Sequence, residues 1–304
     1  KPSEFTPLNA MLYAEMIHEA GFPAGAFNMV QGAGPVAGAT LSRHPDITMM
    51  SFTGSTRAGK AITKDASENI KRVTLELGGK SPNIVFDDVD IEDRIAWSVN
   101  AVFNNSGQTC DAPTRMLVQR SIYDDAVKVA KRVGEEASVG DPTKEGDHIG
   151  PLVSHIQFDR VQTLIQAGID EGATLLVGGA GKPDGTNEGY YTKPTIFADV
   201  NNNMRIAREE IFGPVVSMIP FDTEEEAIEI ANDTPYGLAA YVQTPDAKKA
   251  DRVARKLRAG MVLLNGSSPL AGSPFGGYKQ SGNGREGGLF GLEDFMEIKM
   301  IHKL

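Results

Sequence analysis

Short apolar segments alternate with polar, glycine-containing turns along the first third of the chain. Four of these segments, at residues 27–30, 47–52, 73–77 and 83–86, have the length and apolar character of β-strands. A strand that leads through a glycine turn into a helix is typical of an open parallel sheet, which binds ligands at the carboxyl ends of its strands. The pattern predicts an α/β fold with a ligand site at those ends.

Helical signals flank and separate these strands. Thr6 and Pro7 are typical of the cap and the first residue of a helix, which Gly21 ends. The apolar face of this helix is predicted to contain Leu8, Met11, Leu12 and Met16. Further helices are predicted near residues 91–103, 121–133 and 157–171, and a polar, glycine-rich loop or hairpin at 178–189.

A second α/β alternation occupies residues 213–265, with strands predicted at 215–219, 238–242 and 261–264. Thr223 and Glu226 have the capping-box spacing that begins a helix, which extends to residue 232. Thr244 and Pro245 are predicted to begin another helix, which Gly260 ends. Two alternations indicate two domains, as does the length of 304 residues.

The C-terminal residues 295–302 alternate between apolar and charged side chains. An extended chain places Met296, Ile298 and Met300 on one face, with Glu297 and Lys299 on the other. We therefore predict an edge strand that is either covered or paired with another subunit.

The amino-acid composition disfavours several classes of protein. Thirty Lys and Arg against 40 Asp and Glu give a net charge of −10, which disfavours nucleic-acid binding. There is neither an apolar run near the ~18 residues that span a bilayer nor a charged-then-apolar leader. A single cysteine favours a reducing compartment, so a soluble, cytoplasmic protein without membrane contact is expected. Because residue 1 is Lys1 rather than Met, the chain is expected to begin partway through a longer protein.

Cys110 and Glu76 are the first candidates for chemistry. Cys110 follows a polar segment that contains Gly107, so it is either a small buried hydrophobe or a nucleophile. Glu76 lies near the end of an apolar strand, ahead of two glycines. Strand alternation places its side chain in solvent; the alternative is a buried carboxylate whose raised pKa suits a general base near neutral pH.

Other sequence patterns are weaker evidence of function. Residues 54–56 (GST) lie between a strand and a helix, where backbone N–H groups and a hydroxyl suit an anion. Gly32 and Gly34 do not complete the dinucleotide fingerprint, because the third glycine falls one residue late at Gly38. The histidines do not cluster, and neither metal-ligand spacing nor a serine-hydrolase elbow is present, so no metal is expected.

Six segments, in order, resemble motifs of the aldehyde dehydrogenase superfamily. They are KPSE at 1–4, FTGST at 52–56, LELGGK at 75–80, GQTC at 107–110, EEIFGP at 209–214 and PFGGYKQSG at 274–282. Any one of these matches is weak evidence, but six in the same order are highly specific and cover essentially the whole chain. The resemblance identifies Cys110 as a nucleophile and Glu76 as a general base.

The resemblance implies NAD-dependent oxidation of an aldehyde to a carboxylic acid. Cys110 attacks the carbonyl to form a thiohemiacetal, a hydride passes to the nicotinamide, and water activated by Glu76 hydrolyses the resulting thioester. The Cys110 backbone N–H is implied as an oxyanion donor, and Glu286 as a group that assists proton transfer.

The same resemblance implies binding residues for NAD and for the aldehyde. Lys1, Ser3 and Glu4 fall where the family holds the adenosine ribose, and a carboxylate there favours NAD over NADP because it repels a 2′-phosphate. The other implied cofactor contacts are Gly34, Gly54, Ser55, Leu77, Gly78, Glu210 and Phe212. The implied aldehyde tunnel contains Phe103, Thr109, Asp111 and Phe275.

The family also implies the domain organisation of the chain. Residues 1–77 correspond to the later part of a Rossmann-type dinucleotide domain, and residues 78–268 to a complete α/β catalytic domain. Residues 269–304 correspond to a return segment and an oligomerisation strand, so a homodimer or homotetramer is expected.

Two departures from the family leave alternatives open. Asp111 stands where the family usually has a small, apolar or amide residue; its carboxylate either raises the pKa of the thiol, binds a cationic or hydroxylated aldehyde, or makes a capping or backbone contact. The family segment that precedes KPSE, with its asparagine oxyanion donor, is not in this chain. An inactive fragment or interaction module is therefore the alternative to an active enzyme, and a cofactor-independent thiol hydrolase is a third interpretation.

Overall fold

The computed structural model of the protein describes residues 1–186 and 188–303. Two compact units divide the chain, Lys1–Thr74 (unit 1) and Leu75–Leu304 (unit 2). The glycine-rich loop predicted at 178–189 has no helix or strand among its described residues; residue 187 within it lies outside them.

Unit 1 contains the helices α1 (Pro7–Glu19), α2 (Ala39–Arg43) and α3 (Thr56–Ala66). A π-helix at Gly34–Gly38 leads into α2, and strand β1 (Met49–Thr53) leads through Gly54 into α3. Strand β2 (Arg72–Glu76) begins in unit 1 and ends in unit 2. The strands predicted at 47–52 and 73–77 therefore both form.

Two predictions for unit 1 were wrong, the Thr6 cap and the strand at 27–30. Thr6 makes no capping side-chain hydrogen bond, because its φ of −132° and ψ of 51° lie outside the extended region that capping requires. Helix α1 itself forms as predicted, and the four side chains of its predicted apolar face are 46% to 72% exposed. Residues 27–30 form no strand; Gly25 has a φ of 86°, and the Asn28 amide donates to its carbonyl at 2.8 Å, so the chain turns there.

A parallel sheet forms the centre of unit 2. Within the described residues of this unit, the sheet has seven strands in the order β5-β6-β7-β4-β3-β8-β9, all parallel to their neighbours except β5, which is antiparallel to β6. The strands are β3 (Pro82–Val85), β4 (Arg115–Gln119), β5 (Thr174–Val177), β6 (Thr195–Ala198), β7 (Val215–Phe221), β8 (Ala239–Gln243) and β9 (Met261–Leu264).

The last strand, β10 (Gly282–Asn283), pairs antiparallel with the end of β2. The helices of unit 2 are α4 (Ile91–Phe103), α5 (Tyr123–Glu136), α6 (His155–Asp170), α7 (Arg205–Arg208), α8 (Glu224–Asn232), α9 (Ala247–Lys256) and α10 (Gly288–Asp294). In the described part of the chain, no helix has both the length and the apolar character needed to cross a membrane.

Alternate side chains of the central strands pack on opposite faces of the sheet. On β4, Leu117 packs in a core with residues of α6, α8 and α9, whereas Met116 and Val118 pack in a second core with residues of α4 and α5. All three side chains are fully buried. Helices therefore cover both faces, as parallel strands with continuous apolar runs require. The predicted α/β class is confirmed.

Local capping chemistry determines where several helices begin. The Thr223 hydroxyl accepts from the Glu226 N–H at 3.2 Å at the start of α8, as the capping box predicts. Helix α9 begins at Ala247, not at Thr244 and Pro245 as predicted. The Asp246 carboxylate caps it by accepting from the Lys248 and Lys249 N–H groups, and the Thr244 hydroxyl donates instead to Asp88 at 2.7 Å.

The C-terminal strand predicted at 295–302 does not form among the described residues. Its predicted apolar face is exposed: Met296 is 53% exposed, Met300 82% and Ile298 100%. Alternation of side chains alone does not make a strand, because the backbone groups also need a neighbouring strand as hydrogen-bond partner.

The segments that contain the predicted unit 2 site residues precede the parallel strands. Residues 76–81 lead into β3, 104–114 into β4, 209–214 into β7 and 236–238 into β8. Because these strands are parallel neighbours, the four segments meet at the amino edge of the sheet. The sequence pattern predicted the carboxyl ends of strands: Glu76 is the last residue of β2, whereas Cys110 and Glu210 lie at the amino edge of the seven-stranded sheet.

The fully buried side chain of Arg115 fixes this edge. Its guanidinium donates to the Lys80 carbonyl at 2.9 Å, to Asn202 Oδ1 at 2.9 Å, and to the carbonyls of Ile230 and Ala231, both at 2.8 Å. These contacts connect segments that are 35 to 116 residues apart from it in sequence.

We predict that Arg115→Met lowers the free energy of unfolding by about 3–5 kcal/mol, because it leaves several buried acceptors without a donor. Urea unfolding followed by circular dichroism measures the change. Arg120→Met is the matched control: Arg120 pairs with Asp222 at the surface, so its loss is expected to cost less than about 1 kcal/mol. Equal costs for the two variants would contradict the role given to Arg115.

Candidate active site

The loop before Cys110 has a left-handed backbone. Asn105, Ser106 and Gly107 have φ angles of 50°, 58° and 70°. A Cβ at Gly107 would clash with the main chain at Gly213, so the close approach of these two loops requires glycine. The strained backbone indicates that tertiary contacts hold the loop in place.

Cys110 lies half-buried at the end of this loop, in an apolar cluster. Its turn is closed by a hydrogen bond from the Ala112 N–H to the Thr109 carbonyl at 3.2 Å. Gly79 lies against the Cys110 carbonyl, and a Cβ at that glycine would clash with it. The other members of the cluster are Trp97, Leu238, Ala239, Tyr241, Met261, Leu263 and Phe275.

The surroundings of Cys110 disfavour the thiolate. Burial, followed by the negative charges of Asp111 and Glu210, raises the pKa of the Cys110 thiol to about 12, and the backbone N–H groups of Cys110 and Asp111 offset only part of this. The thiol is therefore protonated at neutral pH in the resting protein, and a nucleophilic role requires a base.

Asp111 has two of the three roles that the sequence left open for it. Its carboxylate acts on the thiol, and its main-chain carbonyl accepts a hydrogen bond from the Tyr241 hydroxyl at 3.2 Å. The same hydroxyl lies 3.5 Å from Asp111 Oδ2. Burial raises the pKa of Asp111, and the hydrogen bond from Tyr241 opposes that shift. No local sequence signal indicated Tyr241, which is 130 residues away in the chain.

Glu76 is a buried carboxylate and not the solvent-facing residue of an alternating strand. Its side chain is 5% exposed, and Oε2 has no hydrogen-bond partner in the described residues. Burial and the charge of Glu286 raise the pKa of Glu76 to about 8, and the nearby Arg285 opposes the rise. A carboxyl group with this pKa exchanges protons near neutral pH, as a general base must.

Glu286 and Phe275 connect the surroundings of Glu76 with those of Cys110. Their backbones form an antiparallel bridge, with both N–H···O distances at 2.7 Å. Phe275 packs in the cluster of Cys110, while Glu286 acts electrostatically on Glu76. Gly276 lies against Glu76 Oε1, where a Cβ would come within 2.6 Å of the oxygen.

Glu210 lies over the glycine turn that follows Glu76. Its Oε1 accepts from the Gly79 N–H at 3.1 Å, and its carboxylate lies so close to Gly78 that a Cβ there would clash. Burial raises the pKa of Glu210. Phe212 has a φ of 57°, and the Gln157 amide donates to its carbonyl at 2.8 Å, so Gln157, which the sequence did not indicate, stabilises this backbone.

Ser281 connects the glycine turn to the start of β8. Its carbonyl accepts from the Leu77 N–H at 2.8 Å, and its hydroxyl donates to the Gly78 carbonyl at 2.7 Å. The same hydroxyl accepts from the Gly237 N–H at 3.0 Å. Phe103, by contrast, is 4% exposed in the core formed by α4 and α5 and is not a member of the Cys110 cluster.

In unit 1, the structure brings Lys1, Glu4 and Gly34 together. Glu4 Oε2 accepts from Lys1 Nζ at 3.1 Å, and Glu4 Oε1 accepts from the Gly34 N–H at 3.2 Å. Backbone hydrogen bonds and Lys1 lower the pKa of Glu4 to about 2, so its carboxylate is ionised at neutral pH. The Ser3 hydroxyl accepts from the Phe5 N–H at 3.3 Å.

Ser55 is the N-cap of α3. Its hydroxyl accepts from the Ala58 N–H at 3.3 Å, and Gly54 before it has a φ of 159°. The predicted anion-type turn, GST at 54–56, therefore lies at a helix N-terminus that follows the carboxyl end of β1.

Comparison with known proteins shows which family the chain belongs to. Residues 1–301 match the profile described as "Aldehyde dehydrogenase family". The chain belongs to the aldehyde dehydrogenase family. The family predicted from the six sequence motifs is confirmed.

Aldehyde dehydrogenases of known sequence and structure resemble the chain over nearly its full length. A 3-succinoylsemialdehyde-pyridine dehydrogenase from Pseudomonas is 50% identical over 301 residues, which are 99% of this chain and 63% of that protein. The chain thus spans less than two thirds of this relative.

Two crystal structures of aldehyde dehydrogenases have the same fold as this chain. An aldehyde dehydrogenase from Bartonella henselae is 56% identical, with a TM-score of 0.96 over 97% of this chain and 62% of its own. Aldehyde dehydrogenase C of Pseudomonas syringae, solved with NAD+ and octanal, is 50% identical, with a TM-score of 0.95 over 97% of this chain and 61% of its own. The predicted aldehyde dehydrogenase-like fold is confirmed.

The raised pKa of Glu76 predicts a pH-dependent stability in this aldehyde dehydrogenase chain. The carboxyl group titrates near 4.5 when unfolded and near 8 when folded, so its stabilising contribution is complete below about pH 4.5 and is lost as the pH rises through about 8. Glu76→Gln does not titrate, so its unfolding free energy is expected to rise relative to that of the wild type by about 1.4 kcal/mol per pH unit between those pH values, to about 5 kcal/mol near pH 8.

Urea unfolding of both proteins at a series of pH values measures this difference. Glu293→Gln, a substitution of an exposed carboxylate on α10, serves as the control. A constant difference between Glu76→Gln and the wild type across the range would show that Glu76 titrates normally.

Proposed function

We propose that this chain supplies the catalytic residues of an NAD-dependent aldehyde dehydrogenase, which oxidises an aldehyde to a carboxylic acid. The observation that supports this most directly is the buried Glu76 carboxylate, with a pKa of about 8 and an Oε2 that has no hydrogen-bond partner among the described residues, in the same unit as the chain's single thiol. A base that is competent near neutral pH is what a protonated nucleophile and a water molecule both require.

Cys110 is the proposed nucleophile. Loss of the thiol proton to a base allows the sulfur to add to the aldehyde carbon and form a thiohemiacetal. The Cys110 backbone N–H donates to the oxygen that becomes negatively charged. The apolar side chains of the cluster, among them Trp97, Leu263 and Phe275, exclude water from this step and suit the non-reacting part of an aldehyde.

Glu76 and Glu286 carry out the proton transfers of the proposed mechanism. In the second half of the reaction, Glu76 takes a proton from the water that attacks the acyl group on Cys110, and the carboxylic acid leaves. Glu286 is exposed and acts electrostatically on Glu76, so it is placed to pass the proton on to solvent. Thr109 and Asp111 flank the nucleophile and with Phe275 line the proposed tunnel, whereas the predicted Phe103 packs in the core of α4 and α5 instead.

The chain's own residues suit NAD. In unit 1, the ionised Glu4 accepts hydrogen bonds from ribose hydroxyls and repels a 2′-phosphate, so NAD fits better than NADP. The capping turn of Gly54 and Ser55 suits a phosphate group. In unit 2, Glu210 above the Gly78 turn suits a second ribose, beside Phe212.

The nicotinamide supplies the hydride acceptor when NAD is bound. The complex of a cysteine-to-alanine mutant of the Pseudomonas syringae enzyme with NAD+ and octanal supports both the cofactor and the substrate class.

Organisation and assembly follow the family in this proposal. Residues 1–77 belong to the dinucleotide domain, 78–268 to the catalytic domain and 269–304 to the return segment. The exposed apolar side chains of Met296, Ile298 and Met300 support a contact between subunits of a homodimer or homotetramer. The protein is proposed to act in the cytoplasm on a small aldehyde.

Aldehyde-dependent formation of NADH by the chain tests the proposal, with octanal and NAD as probes. The wild type is expected to form NADH, and Cys110→Ala to lose at least about a thousandfold in rate because no acyl-enzyme forms. Cys110→Ser is a second control, since it keeps the shape but not the nucleophilicity.

The outcomes separate the candidate functions. Equal NADH formation by the wild type and Cys110→Ala would contradict the proposed mechanism. A folded wild type that forms no NADH would instead support the inactive fragment or interaction module. Hydrolysis of an ester that is independent of NAD, without NADH formation, would support the thiol hydrolase.

A further inference from the structure

We propose that Tyr241 is a positioning residue for the Cys110 thiol and acts on it through Asp111. The inference rests on the proposed role of Cys110 as nucleophile. Tyr241 is hydrogen-bonded to the residue that directly follows Cys110, and it contacts both the main-chain carbonyl and the carboxylate of that residue.

Tyr241 is the rigid partner in this contact. It is the third residue of β8, which lies between β3 and β9, and its backbone is in register with Asn83 and Leu263. Its side chain is 7% exposed, and its ring packs on Trp97 with centroids 6.0 Å apart. Asp111, in contrast, lies in a turn outside the sheet, so the sheet determines where the turn is held.

The Tyr241 hydroxyl remains a hydrogen-bond donor over the whole working range of pH. Burial and the neighbouring Asp111 raise the pKa of Tyr241 far above that of an ordinary tyrosine. One O–H group serves two acceptors, the Asp111 carbonyl at 3.2 Å and Oδ2 at 3.5 Å, so it holds the carboxylate and the peptide group in one arrangement.

The position of the Asp111 carboxylate affects the pKa of the Cys110 thiol. The titratable groups that face Cys110 are Asp111 in its own turn, Glu210 from the segment before β7, and Tyr241 from β8. The Asp111 carboxylate raises the pKa of the thiol more than the Asp111 N–H lowers it. Without the Tyr241 hydroxyl, the half-buried carboxylate is free to turn towards water, and the repulsion that opposes the thiolate weakens.

Alkylation of the thiol by iodoacetamide tests the proposal without turnover. Cys110 is the only cysteine in the sequence, so the rate reports on this thiol alone. Tyr241→Phe is expected to lower the pKa of the thiol by about one unit, which gives about ten times more thiolate at neutral pH. Because a thiolate of lower pKa is a weaker nucleophile, the expected increase in alkylation rate is about threefold.

Asp111→Asn and the double variant test whether the effect passes through Asp111. Asp111→Asn is expected to increase the alkylation rate in the same direction. The Tyr241→Phe/Asp111→Asn double variant is expected to react at the rate of Asp111→Asn alone, because removing the carboxylate removes what Tyr241 positions.

Tyr123→Phe is the matched control, because Tyr123 is equally buried at 6% exposure and its hydroxyl hydrogen bonds to Asp199 and Met218, not to Asp111. It is expected to leave the alkylation rate unchanged. An unchanged or slower rate in Tyr241→Phe, no increase in Asp111→Asn, or additive effects in the double variant would each overturn the proposal. Since alkylation needs neither NAD nor aldehyde, these outcomes are independent of whether the enzymatic function holds.

Discussion

The burial of two basic side chains at the amino edge of the sheet is the constraint on which the site depends. The guanidinium of Arg115 donates to main-chain carbonyls of two separate segments, those of Lys80 and of residues 230–231, and to the side-chain oxygen of Asn202. The Lys80 amine is itself buried and donates to the Ile206 carbonyl at 2.7 Å. Buried charges are tolerated only when hydrogen bonds satisfy them, so these contacts fix the segments that carry Glu76 and Glu210 relative to the sheet.

The same environment determines which groups hold protons at rest. Burial and the charge of Arg115 lower the pKa of Lys80 to about 7, whereas burial and acidic neighbours raise those of Glu76 and Cys110. Low dielectric thus moves these groups towards their neutral forms. The proposed nucleophile, Cys110, is therefore a protonated thiol at rest, and a nearly neutral pKa at Glu76 makes proton removal possible without a large free-energy cost.

Features that depend on local chemistry could be predicted from the sequence. The bounds of α4 and the cap of α8 follow from residues within one helical turn, and six ordered motifs sufficed for the family. The strand predicted at 27–30 does not form, and residues 295–302 form none within the single chain, because a strand also requires a neighbour, which no local pattern specifies. The contact of Tyr241 with Asp111 joins residues 130 positions apart, so it emerges only when β8 is placed in the sheet.

A titration of the thiolate absorbance of Cys110 in the folded protein tests the central claim, a thiol that the site keeps protonated at rest. The spectrum of Cys110→Ala, subtracted at each pH, removes the contribution of the tyrosines. As the pH is raised from neutral to about 10, the account predicts almost no thiolate signal from the folded chain. The urea-unfolded chain, whose thiol has an ordinary pKa of about 8.5, is expected to develop nearly its full signal over the same range. A folded-state thiolate signal that appears at or below the pH of the unfolded chain would contradict it.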